Sequence, residues 1–81
     1  MFKNKAENDR NNICGDKIFI ARKSLNLSQK KLADKLQILG LDVGKNAIQR
    51  IESGERFITD IELVIISKAL DVDIKWLLGM S

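Results

Sequence analysis

Apolar residues recur at helical spacing from Ile13 to the end of the chain, and residues suited to ending a helix divide the pattern into five segments. Ile18, Ala21 and Leu25 mark the inward stripe of a first helix over Ile13 to Ser24, with Asn26 as a left-handed C-terminal cap. Phe19 and Ile20 fall off that stripe. They are assigned to burial within the monomer, the alternative being exposure for a partner chain. Ser28 suits the N-cap of a second helix that turns Leu32, Ala33, Leu36 and Leu39 inward and stops at Gly40. A third helix follows the Leu41–Gly44 link, capped by Gly44 or Asp42 and closed by Ser53-Gly54. Thr59-Asp60-Ile61-Glu62 matches a capping box, with Ile58 and Leu63 placed as a hydrophobic staple. The fourth helix runs to Leu70 with Leu63, Ile66 and Leu70 inward. Asp73 caps a fifth helix over Ile74 to Leu78, where Trp76 and Leu77 close the core before Gly79. No strand pattern is present, so the expected class is all-α.

The third helix carries the functional signal. At about 100° per residue, Lys45, Asn46, Gln49, Arg50 and Ser53 share one face, while Ala47, Ile48 and Ile51 share the opposite one. Docked by its apolar side, such a helix holds amides and cations outward in a row, the groups that pair with base edges and phosphates. Gln29 falls in the first turn of the second helix, where free backbone amides and the helix dipole favour an anion such as phosphate.

Charge distribution agrees with this assignment. The formal net charge is +3. Residues 1–56 hold 12 of the 14 Lys and Arg and 7 of the 11 Asp and Glu, so the basic excess lies with the second and third helices. The N-terminal stretch 1–12 lacks any apolar period and is expected to be a flexible arm, leaving residues 13–81 as the folded domain. Its Lys3, Lys5 and Arg10 offer an alternative role as a basic tail on a nucleic-acid backbone.

Composition excludes several classes. Eighty-one residues form one domain burying about 60% of its unfolded surface. There is no proline and aromatic residues are few, which argues against a sandwich or barrel. The single cysteine, Cys14, precludes an internal disulfide and suits a reducing cytoplasm, where it serves as a small apolar filler. No apolar run spans a bilayer, and the polar first dozen residues do not read as a signal peptide. With no histidine and no Gly-rich phosphate loop, the chain offers no nucleophile–base set and no metal cluster. We therefore expect neither catalytic residues nor a cofactor.

Three segments in order, L-S-Q-K-K-L-A-D-K-L, A-I-Q-R-I-E-S-G-E-R and K-A-L-D-V-D-I-K-W-L-L-G, make the chain resemble the Cro/phage-repressor type of helix-turn-helix regulator, also called the xenobiotic-response-element type. The likeness covers about residues 13 to 79. It implies a five-helix, lambda-repressor-like domain whose third helix enters the major groove of an operator. By position, it implies base readout by Lys45, Asn46, Gln49 and Arg50, and phosphate contacts at Ser28, Gln29, Lys30 and Arg56. It also implies a structural pair between Arg22 of the first helix and Glu52 of the third. The stretch Gln37 to Leu41 is longer than the family's tight turn and resembles a recognised variant, in which groove contacts can shift by a position or two. The implied partner is double-stranded DNA, bound by a homodimer on a two-fold site, with repression as the outcome. The competing reading is an antitoxin-like module that uses the same fold to hold a partner protein. Loss of duplex binding on Lys45→Glu or Arg50→Glu separates the two.

Overall fold

Five helices account for the regular structure of residues 10–80, the residues described by the computed structural model. They are α1 (Gly15–Ser24), α2 (Gln29–Ile38), α3 (Lys45–Ser53), α4 (Asp60–Leu70) and α5 (Ile74–Leu77), with no strand among the described residues. α3 packs against α1 and α2, α4 against the same two, and α5 against α4 and α1. Ile18, Leu32, Leu36, Ile48, Ile51, Ile66, Leu70 and Leu77 are completely enclosed at the centre.

Local chemistry sets the starts. The Ser28 hydroxyl accepts from the Lys31 amide at 3.0 Å. Thr59 and Glu62 form the full capping box of α4, and the Asp73 carboxylate accepts from the Lys75 amide at 2.8 Å. α3 begins after an extended Gly44 that provides no side-chain cap.

A single device ends all five helices. The residue after each last turn, Asn26, Gly40, Gly54, Asp71 or Gly79, takes a positive φ. The residue beyond it donates its amide back across the turn, as in Leu27 N–H to Arg22 O (3.1 Å) and Leu41 N–H to Leu36 O (2.9 Å). In this closure the residue after the left-handed position folds back onto the helix. Leu27, Leu41 and Val72 therefore pack against the core.

That geometry corrects two expected core positions. Leu25 and Leu39 each stand just before the left-handed residue and are exposed. Their places in the core are taken by Leu27 and Leu41. Phe19 and Ile20, assigned to burial, are exposed as well. α1 turns Gly15, Ile18, Ala21 and Arg22 inward beside its N-cap Cys14, and the Phe19 ring lies against the Arg22 guanidinium at 5.3 Å instead. Cys14 is the buried filler expected, and burial pushes its thiol pKa up.

The start of the domain also differs. α1 begins at Gly15 rather than Ile13, its amide bound by the Asn12 Oδ1 at 2.8 Å. Arg10, Asn11 and Asn12, allotted to the arm for their polarity, are hydrogen bonded to the end of α3. The arm's Lys3 and Lys5 lie outside the described residues.

Candidate nucleic-acid interface

Ile48 and Ile51 anchor α3 in the core, and Ala47 packs at its edge. The opposite face carries Lys45, Asn46, Gln49 and Arg50, all exposed. Among the described residues none of these four side chains makes an internal hydrogen bond or ion pair. A row of donors without internal partners is available to an outside surface.

Two interactions hold the helix behind this row. The Arg22 guanidinium grips Glu52 through Nε–Oε2 at 2.6 Å and Nη2–Oε1 at 3.0 Å, with both side chains only 7% exposed. Arg22 also donates to Leu27 O at 2.8 Å, and the Gln29 amide donates to Glu52 Oε1 at 3.1 Å. The carboxylate, otherwise unfavourable near the negative end of α3, is thus bonded on both oxygens. The expected pair is present, and Gln29 ties the start of α2 to the end of α3.

Beside it lies an open concavity of about 600 Å³ between the end of α1 and the starts of α2 and α3, lined in part by Lys23, Ser28, Gln29, Lys30 and Lys45. The first-turn amides of α2 have no intrahelical acceptors there. The Ser28 hydroxyl is already occupied by its cap bond. Lys30 meets Asp34 at 3.1 Å in an exposed pair, an association weak enough (about 0–1 kcal/mol) to be exchanged for another anion. Lys23 was not singled out by the sequence. Its position in the last turn of α1 becomes informative only once Asn26 reverses the chain beside α2.

Arg56 sits differently from the others. Its guanidinium clasps Glu62 at 2.8 and 3.1 Å and donates to Phe57 O at 3.2 Å. The hydrogen bond from Arg56 holds the Glu62 carboxyl below the usual carboxylate range, despite partial burial. The same carboxylate accepts the Thr59 amide at 3.0 Å. The arginine expected at a phosphate thus secures the start of α4.

Residues 18–77 match a helix-turn-helix family model of the Cro/C1 type. The chain belongs to the helix-turn-helix family. As a member, it is a DNA-binding transcriptional regulator. The fold is similar to that of the P22 c2 repressor, solved in complex with synthetic operator 9T in the presence of Tl+. That similarity has a TM-score of 0.72 at 28% identity and covers 85% of this chain and 97% of the repressor chain. It is also similar to the restriction-modification controller protein C.AhdI from Aeromonas hydrophila, with a TM-score of 0.69 at 22% identity over 79% and 86% of the two chains. Comparison with curated proteins found no match. Among the described residues of this helix-turn-helix domain, no cluster of His, Cys, Asp or Glu suits a metal ion. Among the described residues no helix is long and apolar enough to cross a membrane.

Proposed function

We propose that this regulator is a repressor that seats α3 in the major groove of a double-stranded operator. The unpartnered row Lys45, Asn46, Gln49 and Arg50 carries this reading. Asn46 and Gln49 have the donor–acceptor pair that matches adenine, and Lys45 and Arg50 the donors that match guanine, each worth about 1–3 kcal/mol of discrimination. Gln29, Lys30 and the Ser28 end of α2 then face the phosphate backbone across the basic concavity, with Lys23 added to that set. Arg56 acts indirectly, by fixing the turn between α3 and α4 through Glu62. That the P22 c2 repressor, which shares the fold, was solved with a synthetic operator supports an operator as the partner in this reading.

The chain binds as a homodimer in this reading, which places two recognition helices about one DNA turn apart. Exposed Ile61, Val64 and Met80, on α4 and beyond α5, supply apolar surface for a second copy. The test is selection of bound sequences from random duplex DNA, followed by titration across salt. A two-fold consensus is expected, and Lys45→Glu or Arg50→Glu should weaken binding to it by about tenfold or more. A protein that enriches no sequence, or whose variants bind like the parent, would refute the assignment.

A further inference from the structure

The end of α3 is held by a short piece of chain that lies before the first helix. Arg10 Nη2 donates to Glu52 O at 3.0 Å, and Asn12 Nδ2 donates to both Ile51 O (3.0 Å) and Arg56 O (2.8 Å). Asn11 adds its backbone amide to Gly54 O (2.7 Å) and its side-chain amide to Glu55 O (2.8 Å). The last carbonyls of a helix have no partners within it. In α1, α2 and α4 an apolar residue after the left-handed position folds back over that end, but after Gly54 the chain places the polar Glu55. The strap occupies the position that such an apolar residue would cover.

Two glycines show that the strap is built into the packing. Gly15 opens α1, where glycine lowers helix propensity. A Cβ there would collide with Ile51 O, with the Arg10 guanidinium and with Asn12 Oδ1. Gly54 has φ 87°, and a Cβ on it would come within 2.8 Å of Arg10 Cζ. Arg10 therefore runs through a slot that exists only because both positions lack side chains. Its guanidinium also meets the exposed Asp16 carboxylate at 3.4 Å.

We propose that Arg10 and Asn11 are positioning residues for DNA readout: they fix the last turn of α3, and with it Arg50, without touching DNA. This rests on the groove-reading role of α3 proposed above. The Arg50 carbonyl accepts from Glu55 and Arg56 amides (2.9 and 3.2 Å), so the strap and the base-reading residue share one turn of backbone.

Arg10→Ala, Asn11→Ala and Arg10→Lys in the full chain test this, the lysine keeping a donor for Glu52 O. In free protein, amide hydrogen exchange at Glu55 and Arg56 should accelerate about threefold to tenfold in the alanine variants, as loss of one hydrogen bond implies. Exchange within α4 should stay unchanged, and Arg10→Lys should be partly rescued. On a duplex selected by the parent protein, affinity should fall by a similar factor, with non-specific affinity and the salt slope preserved.

A salt slope reduced by about one, with equal loss on all duplexes, would make Arg10 a phosphate contact and overturn the proposal. Unchanged exchange at Glu55 and Arg56 would overturn it too, as would uniform acceleration through α4. If the parent selects no duplex, the DNA reading fails, and the exchange result still decides whether the strap holds α3.

Discussion

Glu52→Gln replaces one oxygen of a nearly enclosed carboxylate by an amide nitrogen of the same size. The Arg22 guanidinium then keeps a single neutral acceptor where it had two charged ones, at 2.6 and 3.0 Å. Removing one partner of a buried ion pair costs about 3–5 kcal/mol. Two features reduce that figure here. Arg22 retains its bond to Leu27 O, and the Phe19 ring stays beneath it, an interaction worth about 0.5–2 kcal/mol. The expected loss is therefore about 2–4 kcal/mol, against a total of about 4–12 kcal/mol for a domain of this length. At about 4–8 °C per kcal/mol, the melting temperature should drop by roughly 8–32 °C.

Thermal and urea unfolding followed by far-UV circular dichroism would measure it. A partner experiment separates charge from shape: Arg22→Met with Glu52→Leu removes both charges and should recover most of the loss, since buried pairs are often replaceable by apolar groups. A Glu52→Gln loss below about 1 kcal/mol would match an exposed pair. It would refute the view that this contact holds α3 in place.

Two further outcomes follow from the same structure. The folded-state pKa of Glu62 is lowered, chiefly by the Arg56 hydrogen bond, so its contribution is present above the ordinary carboxylate value of 4.5 and is lost as pH falls through the folded value. Urea midpoints measured downward from neutral pH should decline more steeply below that point in the parent than in Glu62→Gln, and parallel curves would contradict this. Leu41→Ala should cost about 1–3 kcal/mol and Leu39→Ala less than about 0.5, because only Leu41 folds back onto the core; equal costs in denaturant unfolding would reverse the helix-end argument.

The bounds of α3 were legible because Gly44 and Gly54 punctuate it and its apolar residues keep a strict period. Its two faces followed from that period alone, and the structure turns Ile48 and Ile51 inward and Lys45, Asn46, Gln49 and Arg50 outward. Periodicity failed at helix ends, where the backbone leaves the helical path and Leu25 and Leu39 no longer follow the stripe. It failed for Phe19 because the partner of that ring is a cation, which a hydrophobic stripe does not register. The strap was illegible for a similar reason: Asn12 bonds carbonyls about forty residues away, and such contacts leave no local pattern. The pairing of Arg56 was not legible because Glu62 already had a full explanation in the capping box, and its second bond appears only when the loop closes.

The four arginines of the chain divide in a way that bears on how it reads DNA. A guanidinium presents a rigid fork of donors suited to carboxylates, carbonyls and guanine alike, whereas a lysine is a mobile point charge. Arg10, Arg22 and Arg56 each spend that fork inside the protein, on the end of α3, on Glu52 and on Glu62. The first two hold the last turn of α3, and the third holds the turn that leads from it into α4. Among the described residues, Arg50 alone keeps its guanidinium unengaged, one turn before the end of the helix the others secure. Two-point recognition of guanine by a guanidinium therefore falls on Arg50 in the proposed complex, while Lys23 and Lys30 beside the concavity supply attraction that depends on salt rather than on sequence. In the proposed complex, the arginines that give the interface its rigidity and the arginine that joins Lys45, Asn46 and Gln49 in reading bases are separated by which of them the fold leaves unpaired.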